Sequence, residues 1–208
     1  MKCIYCDEDY FGGSDLFHSY MTRDPLCKRC REKLILDPVI IKVKEMEVRS
    51  YYLYEENLRD LLIQYKECYD EALKDVFFYP FKYDILFRYY DRVIITVPSS
   101  RTKLKERGFD HMRSMVDHIA LKKLDALEKI EDISQTHKSE SQRKEMLGNI
   151  KVKDGVILPH KILLVDDVLT SGSSLLGAYR VLCDRDVKVL SLSHNSAHSL
   201  KKHVKVVL

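Results

Sequence analysis

The chain has 208 residues, a hydrophobic fraction of 45% and a formal net charge of +3 at pH 7. This length and apolar content suffice for one substantial α/β domain plus a small additional unit, whereas the small net charge does not by itself indicate a polyanionic partner. No apolar run is as long as a membrane span, and the N-terminal residues lack the apolar core of a signal peptide, so we expect a cytoplasmic protein without membrane insertion.

Two Cys-x2-Cys pairs near the N-terminus predict a zinc site. Cys3 and Cys6 form the first pair, Cys27 and Cys30 form the second, and twenty residues lie between the pairs. A tetrahedral zinc ion bound to all four thiolates has no open position for a catalytic water, so the expected role is structural. Metal binding would supply most of the folding free energy of so short a segment. Two disulfides or reduced thiols are the alternative, and His18 is a possible substitute ligand.

The next part of the chain predicts strands followed by a helix. Alternating apolar and charged residues over 40–54 indicate one or two half-exposed strands, which we interpret as a linker. Apolar residues at steps of three and four over 58–77 predict one long amphipathic helix. Lys66 lies in this helix and receives no role, because a charged helix residue is usually solvated. We predict a zinc-finger domain with linker strands at 1–50 and the main domain at 51–208.

A basic loop follows a second predicted buried strand at residues 92–98. Residues 99–107 contain four basic side chains and one acid, so the local net charge is +3. The basic residues are Arg101, Lys103, Lys105 and Arg107. The loop is predicted to lead into a helix over 109–127, at the edge of the sheet where ligands bind in such folds. Pyrophosphate or a nucleic-acid backbone is the expected ligand, and a solvated surface loop is the alternative.

The polar residues 134–149 predict a mobile loop or lid, since this segment contains almost no core residues. Gln135 and Arg143 are the candidates for closing over a ligand. A solvated loop without a role is the alternative.

The stretch KILLVDDVLTSGSSL at residues 161–175 contains the strongest candidate ligand site. The apolar run 162–165 predicts a strand buried on both faces, which ends in Asp166 and Asp167. A turn then leads to an apolar helix over 175–183. The residues of the turn are Thr170, Ser171, Gly172, Ser173 and Ser174. Backbone N–H groups at the helix start suit a phosphate, and the carboxylates can accept from the vicinal hydroxyls of a sugar. An ordinary strand, turn and capped helix is the alternative.

The remaining segments predict strands at 187–192 and 204–208. No acidic or cysteine partners are spaced for metal ligation near His194, His198 and His203, so we interpret these histidines as surface residues. Cys68 and Cys183 lie in apolar helical patterns and are interpreted as small core residues.

The acid pair and hydroxyl turn resemble the phosphoribosyl pyrophosphate (PRPP) signature of type I phosphoribosyltransferases. This resemblance implies that Asp166 and Asp167 bind the ribose 2′ and 3′ hydroxyls, while the turn from Thr170 to Ser174 binds the 5′-phosphate. Together with the other motifs, this signature makes the chain resemble the ComF family along nearly its whole length. Those motifs are the four-cysteine knuckle, L-R-D-L-L-x-x-Y-K at 58–66, V-P-x-S-R-x-K-L-x-x-R-G-F at 97–109, and S-Q at 134–135 with Arg143.

Two departures from the family pattern stand out. The family commonly has R-G-F-N-Q where this chain has Asp110 and His111 after Phe109, and its phosphate loop more often reads T-T-G-x-T. The serines of this chain keep the hydroxyls. Asp110, however, adds an acid beside the basic loop, where the family has an amide.

The ComF resemblance implies a type I phosphoribosyltransferase fold, a parallel sheet flanked by helices, with a small N-terminal zinc knuckle. It implies a role in the uptake of transforming DNA beside a ComFA-type translocase, with binding to single-stranded DNA and recruitment to the membrane DNA-uptake machinery. The alternative is an active phosphoribosyltransferase that uses PRPP and Mg²⁺, in which Arg101 and Lys103 bind the leaving pyrophosphate and the acceptor is unidentified. An intermediate possibility is that a sugar phosphate or a DNA 5′ end regulates the competence role.

Overall fold

The computed structural model describes residues 1–10, 24–130 and 150–196, together with the backbone of 204–205. These residues form an α/β fold around a six-stranded sheet with the strand order β3-β6-β7-β2-β1-β8. The sheet strands are β1 (Leu36–Val43), β2 (Met46–Leu53), β3 (Val93–Thr96), β6 (Lys161–Leu169), β7 (Asp186–His194) and β8 (Val204–Lys205). A separate pair consists of β4 (Leu127–Lys129) and β5 (Ile150–Val152). The helices are α1 (Lys28–Arg31), α2 (Glu56–Glu67), α3 (Lys74–Phe77), α4 (Lys82–Arg88), α5 (Arg101–Arg107), α6 (His111–Val116) and α7 (Ser173–Val181).

The centre of the sheet is parallel, which confirms the predicted α/β class with a mostly parallel sheet. β3, β6, β7 and β2 pair in parallel, and β1 and β8 extend the sheet in antiparallel fashion. Residues 162–165 of β6 are fully buried because side chains pack against both faces of the sheet. β6 is longer than predicted: its ladder with β7 continues through the acid pair to Leu169 and His194.

Two apolar cores lie on opposite faces of the sheet. The first contains side chains from α2, α3, α4 and α6, and it also includes the buried cysteines of the N-terminal segment. The second contains α7 and the β4–β5 pair. No helix within the described ranges is both long enough and apolar enough to cross a membrane.

The interpretation of residues 40–54 as a linker is wrong. β2 pairs in parallel with β7 from Val48–Val189 to Leu53–His194, so it is an inner strand of the main sheet. Its residues from Val48 to Tyr52 are buried rather than half-exposed for the same reason. The predicted boundary between residues 50 and 51 falls inside β2. Side-chain contacts also join the N-terminal segment to the sheet, since Arg31 donates hydrogen bonds to the Tyr52 hydroxyl at 3.2 Å and the Val76 carbonyl at 2.8 Å.

Two helix predictions and one loop prediction are corrected. The predicted helix over 58–77 is interrupted after Glu67, where Tyr69 takes a positive φ of 60° and the chain turns before α3. The predicted loop over 99–107 is largely α5, which Ser100 caps by accepting from the Lys103 N–H at 3.3 Å. The predicted helix over 109–127 is shortened to α6, because the chain after it runs beside β3 and then forms β4.

His194 is a core residue, which corrects its interpretation as a surface histidine. Its ring is fully buried, with Nδ1 3.0 Å from the Ser50 hydroxyl and Nε2 3.3 Å from an Asp37 carboxylate oxygen. These polar partners compensate the burial of the imidazole. His198 and His203 lie outside the described residues. The prediction of buried positions for Cys68 and Cys183 is also wrong, because both thiols are exposed.

Candidate functional site

A cleft of about 410 Å³ opens at the carboxyl ends of β3 and β6. This edge is where open α/β sheets bind ligands. The cleft walls come from the end of α2, the segment after β3, α5 and the turn before α7. The polar lining residues are Tyr54, Lys66, Glu67, Ser99, Ser100, Lys103, Arg107, His111, Lys129, Asp166, Asp167, Thr170 and Ser174. The acid pair, two of the four basic candidates and part of the hydroxyl turn therefore share one cleft.

The turn before α7 brings Thr170 and Ser174 into the lining of this cleft, whereas Ser171, Gly172 and Ser173 are not among its lining residues. Ser171 and Ser173 are exposed, their hydroxyl oxygens lie 2.7 Å apart, and Gly172 caps α7 without a side chain. Gly172 has a φ of +74°, and an added Cβ would meet Val43 Cγ1 at 3.0 Å. The turn therefore requires glycine for its conformation and for its close packing against the β1–β2 hairpin. Helix N-termini with this chemistry bind phosphate groups.

The two carboxylates of the acid pair have different environments. Asp167 is buried, and its Oδ2 forms an ion pair with Lys66 and lies 3.0 Å from His111 Nε2. Burial tends to raise the pKa of Asp167, but the Lys66 ammonium and the hydrogen bond from His111 lower it below its usual value. Burial and the negative charge of Asp167 raise the pKa of Asp166, which is partly exposed to the cleft. The two acids are therefore not equivalent.

Arg107 is a buried residue of the cleft wall rather than an exposed cation of a loop. Its Nε donates to the Lys66 carbonyl at 2.7 Å, and its Nη1 lies 3.0 Å from His111 Nδ1. Its Nη2 donates to Glu67 Oε1 at 3.3 Å. These contacts hold the C-terminal end of α2 against α5 and α6.

The other basic candidates are exposed and point in different directions. Lys103 lines the cleft, whereas Lys105 is not among the lining residues. Arg101 faces the β4–β5 pair, where it donates to Glu128 at 2.9 Å. Lys129 is an additional cation of the cleft. The lid candidates Gln135 and Arg143 lie outside the described residues.

Lys66, His111 and Lys129 are the cleft residues that sequence reasoning missed. Lys66 is in the L-R-D-L-L-x-x-Y-K segment, and its position in the last turn of α2 brings its ammonium to the acid pair. From the sequence, His111 is distinguished only as a departure from the family pattern. The signal that could have found Lys66 and His111 is their place within motifs that already flank the predicted phosphate site, whereas Lys129 lies in none of these motifs.

The four N-terminal cysteines come together as predicted. Their sulfur atoms all lie within 4.8 Å of one another, and Cys6 Sγ and Cys27 Sγ are 3.8 Å apart. A tetrahedral zinc ion with Zn–S bonds of about 2.3 Å places its sulfurs about 3.8 Å apart, so this donor set fits zinc. Three of the thiols are buried. The fourth, Cys6, is partly exposed.

Comparisons with known proteins agree with this arrangement of motifs. The chain is 31% identical over 147 residues to Competence protein ComFC of Streptococcus pneumoniae, a match that covers 69% of this chain and 66% of the relative. The chain belongs to the ComFC family. A second member, Competence protein ComFC of Bacillus subtilis, is 23% identical over 164 residues, which cover 77% of this chain and 67% of the relative. The chain thus spans about two thirds of the length of each of these ComFC proteins.

The other comparisons add less to the ComFC assignment. No protein-family model matches the chain. Among solved structures, a hypoxanthine phosphoribosyltransferase from Staphylococcus aureus aligns with a TM-score of 0.36 at 13% identity. The alignment covers 69% of this chain and 70% of that enzyme.

Proposed function

We propose that this protein acts in the uptake or processing of transforming single-stranded DNA, beside a ComFA-type DNA translocase. The observation that carries the proposal is the 31% identity to a ComFC competence protein, along 69% of the chain. The corresponding location is the cytoplasm, with recruitment to the membrane DNA-uptake machinery. A transformation assay with a deletion strain tests the role, since loss of the gene should abolish transformation while growth remains normal.

The cleft is the proposed ligand site, and a sugar phosphate is its proposed ligand. Asp166 and Asp167 would accept hydrogen bonds from vicinal ribose hydroxyls, and the turn from Thr170 to Ser174 would bind the phosphate. The support is that the acids and hydroxyls line the same cleft, at a helix start that has no side-chain cap. A DNA 5′ end has the phosphate but not the vicinal diol, because 2′-deoxyribose has no 2′ hydroxyl, so a DNA end would use the phosphate turn alone.

Single-stranded DNA would extend from the cleft along the exposed lysines of α5. Lys103 and Lys105 are exposed, while Arg107 is buried and Arg101 is paired with Glu128, so the two lysines are the better candidates for backbone contacts. Affinity for an oligonucleotide should fall with salt, with a log–log slope of about −0.7 for each phosphate contacted.

A salt titration of oligonucleotide binding tests this path. If each lysine contacts one phosphate, Lys103→Ala/Lys105→Ala should reduce the slope by about 1.4. Lys161→Ala/Lys188→Ala is the matched control, because these exposed lysines lie near the starts of β6 and β7, away from the cleft. Equal slopes for the α5 variant and the control would exclude α5 as the DNA path.

An active phosphoribosyltransferase is the second candidate function. It is favoured by the acid pair and phosphate turn in one cleft, with Lys103 and Lys129 nearby to balance the charge of a leaving pyrophosphate. Catalysis would rest on positioning and charge stabilisation, with Mg²⁺ bound to the pyrophosphate. Calorimetric titration with PRPP and Mg²⁺ tests it: wild type should bind, and Asp166→Asn/Asp167→Asn should not. Absence of binding by wild type would exclude this function.

Zinc is the metal we propose for the four-cysteine cluster, with a structural role. The support is the donor chemistry, four thiolates at tetrahedral spacing, together with the packing of three buried thiols in the core on one face of the sheet. Elemental analysis of the purified protein should find one zinc ion per chain.

A further inference from the structure

A continuous chain of polar contacts connects three helices to the second acid of the pair. Arg107 at the end of α5 contacts His111 at the start of α6, and His111 contacts Asp167 on β6. Lys66 from the last turn of α2 reaches the same carboxylate. Counted over the whole residue, Arg107, His111 and Asp167 are each at most 8% exposed, so water does not replace these contacts easily.

The chemistry of Arg107 fixes the proton on the imidazole. A guanidinium group only donates hydrogen bonds, so His111 Nδ1, which is 3.0 Å from Arg107 Nη1, must accept. The Ser99 hydroxyl, 3.1 Å from the same nitrogen, can donate to it as well. The imidazole proton is therefore on Nε2, from which it is donated to Asp167 Oδ2 across 3.0 Å.

Both protein contacts to the Asp167 carboxylate use the same oxygen. Among the described residues, Lys66 and His111 each approach Oδ2. The other oxygen, Oδ1, is then left for a ligand, and the carboxylate cannot rotate without losing two charge-assisted contacts. Groups that hold a binding residue in one orientation reduce the cost of ordering it when the ligand arrives.

We propose that His111 is a positioning residue of the cleft, which holds Asp167 by Oδ2 so that Oδ1 accepts a hydroxyl of the bound ribose phosphate. Arg107 and Ser99 at Nδ1, together with the Asp167 carboxylate at Nε2, favour the tautomer in which His111 donates. This inference rests on the proposed sugar-phosphate site and deepens it, because it divides the acid pair into a fixed acceptor, Asp167, and a cleft-facing acid, Asp166.

Two variants of His111 separate positioning from space filling. Glutamine offers one acceptor and one donor, so His111→Gln can accept from Arg107 and donate to Asp167 as the imidazole does. His111→Leu fills a similar volume without either contact. A residue that merely fills space would tolerate leucine at least as well as glutamine.

Calorimetric titration of the zinc-loaded 208-residue chain with ribose 5-phosphate measures the effect on binding. The dissociation constant of His111→Leu should rise about tenfold to a hundredfold, which is the range for a hydrogen bond to a charged group. His111→Gln should stay within about threefold of wild type. The stoichiometry is measured in the same titration, so a loss of folded protein is distinguished from a loss of affinity. Equal affinities for wild type and leucine variant, or equal losses for both variants, would overturn the inference.

Imidazole ¹⁵N NMR provides a readout that does not depend on a ligand. The His111 proton should be found on Nε2, because Nδ1 faces the Arg107 and Ser99 donors and Nε2 faces the Asp167 carboxylate. If wild type fails to bind ribose 5-phosphate, the proposed sugar-phosphate site is wrong. The NMR spectrum still tests the contacts from Arg107 through His111 to Asp167, because it needs no ligand. A proton on Nδ1 in wild type would overturn this chain of contacts.

Discussion

The ion pair between Lys66 and Asp167 should contribute measurably to the free energy of unfolding. Lys66→Met keeps the length of the side chain and removes its charge, leaving the Asp167 carboxylate with His111 as its remaining partner in the contact chain. The two side chains are 20% and 11% exposed. Breaking a buried ion pair by removing one partner costs about 3–5 kcal/mol, and the partial exposure of Lys66 places our expectation near 3 kcal/mol.

A double-mutant cycle at pH 7 measures this interaction directly. Asp167→Asn removes the charge that Lys66→Met leaves without its cation, so the double variant should lose less stability than the sum of the two single losses. The expected coupling energy is about 2 kcal/mol, from urea unfolding of all four proteins. Lys103→Met, on an exposed lysine of the same cleft, is the control and should change stability by less than about 0.5 kcal/mol. A coupling energy near zero would refute the ion pair.

Three further outcomes follow from the described contacts. Gly172→Ala should cost about 1 kcal/mol more in unfolding free energy than Gly155→Ala. Both residues have a positive φ, but of the two only Gly172 has neighbours within 4 Å of an added Cβ. Equal losses of unfolding free energy would contradict the packing argument. Asp166→Asn should stabilise the protein increasingly as pH rises above about 4, because a carboxyl whose pKa is raised in the folded state opposes folding once the unfolded chain ionises. Urea unfolding from pH 5 to pH 8 should show a growing difference in unfolding free energy between the variant and wild type. A constant difference would contradict this expectation. Cys27→Ser should lower the zinc content and the Tm together, measured by elemental analysis and calorimetry, whereas Cys183→Ser, at an exposed thiol outside the cluster, should change neither.

Local patterns predicted the features that depend on neighbouring residues. The buried strands, the cysteine cluster and the turn after the acid pair were all predictable, because each depends on an apolar run or a short spacing. The tertiary partners of those features were not. β2 looked like a half-exposed strand because its charged residues alternate with apolar ones, yet its ladder with β7 buries it.

The errors within the site have the same physical origin. A charged residue on a helix is usually solvated, but the end of α2 brings Lys66 to a carboxylate about a hundred residues later in the chain. The sequence predicts Arg107 to be a ligand-binding cation, but the turn at Gly108, with a φ of +77°, leads directly into α6 and folds the guanidinium against His111. His194 carried no local signal of burial, because its partners, Ser50 and Asp37, belong to the opposite end of the chain.

The inner position of β2 has a consequence for synthesis on the ribosome. The hairpin of β1 and β2 can form early, but the parallel partner of β2 begins only at Asp186, more than 130 residues after β2 ends. Until that segment emerges, one edge of an apolar strand has no partner, and such edges recruit strands from other chains. Pairings of this sequence separation also slow folding. We expect this nascent chain to depend on chaperones until its last strands have been translated.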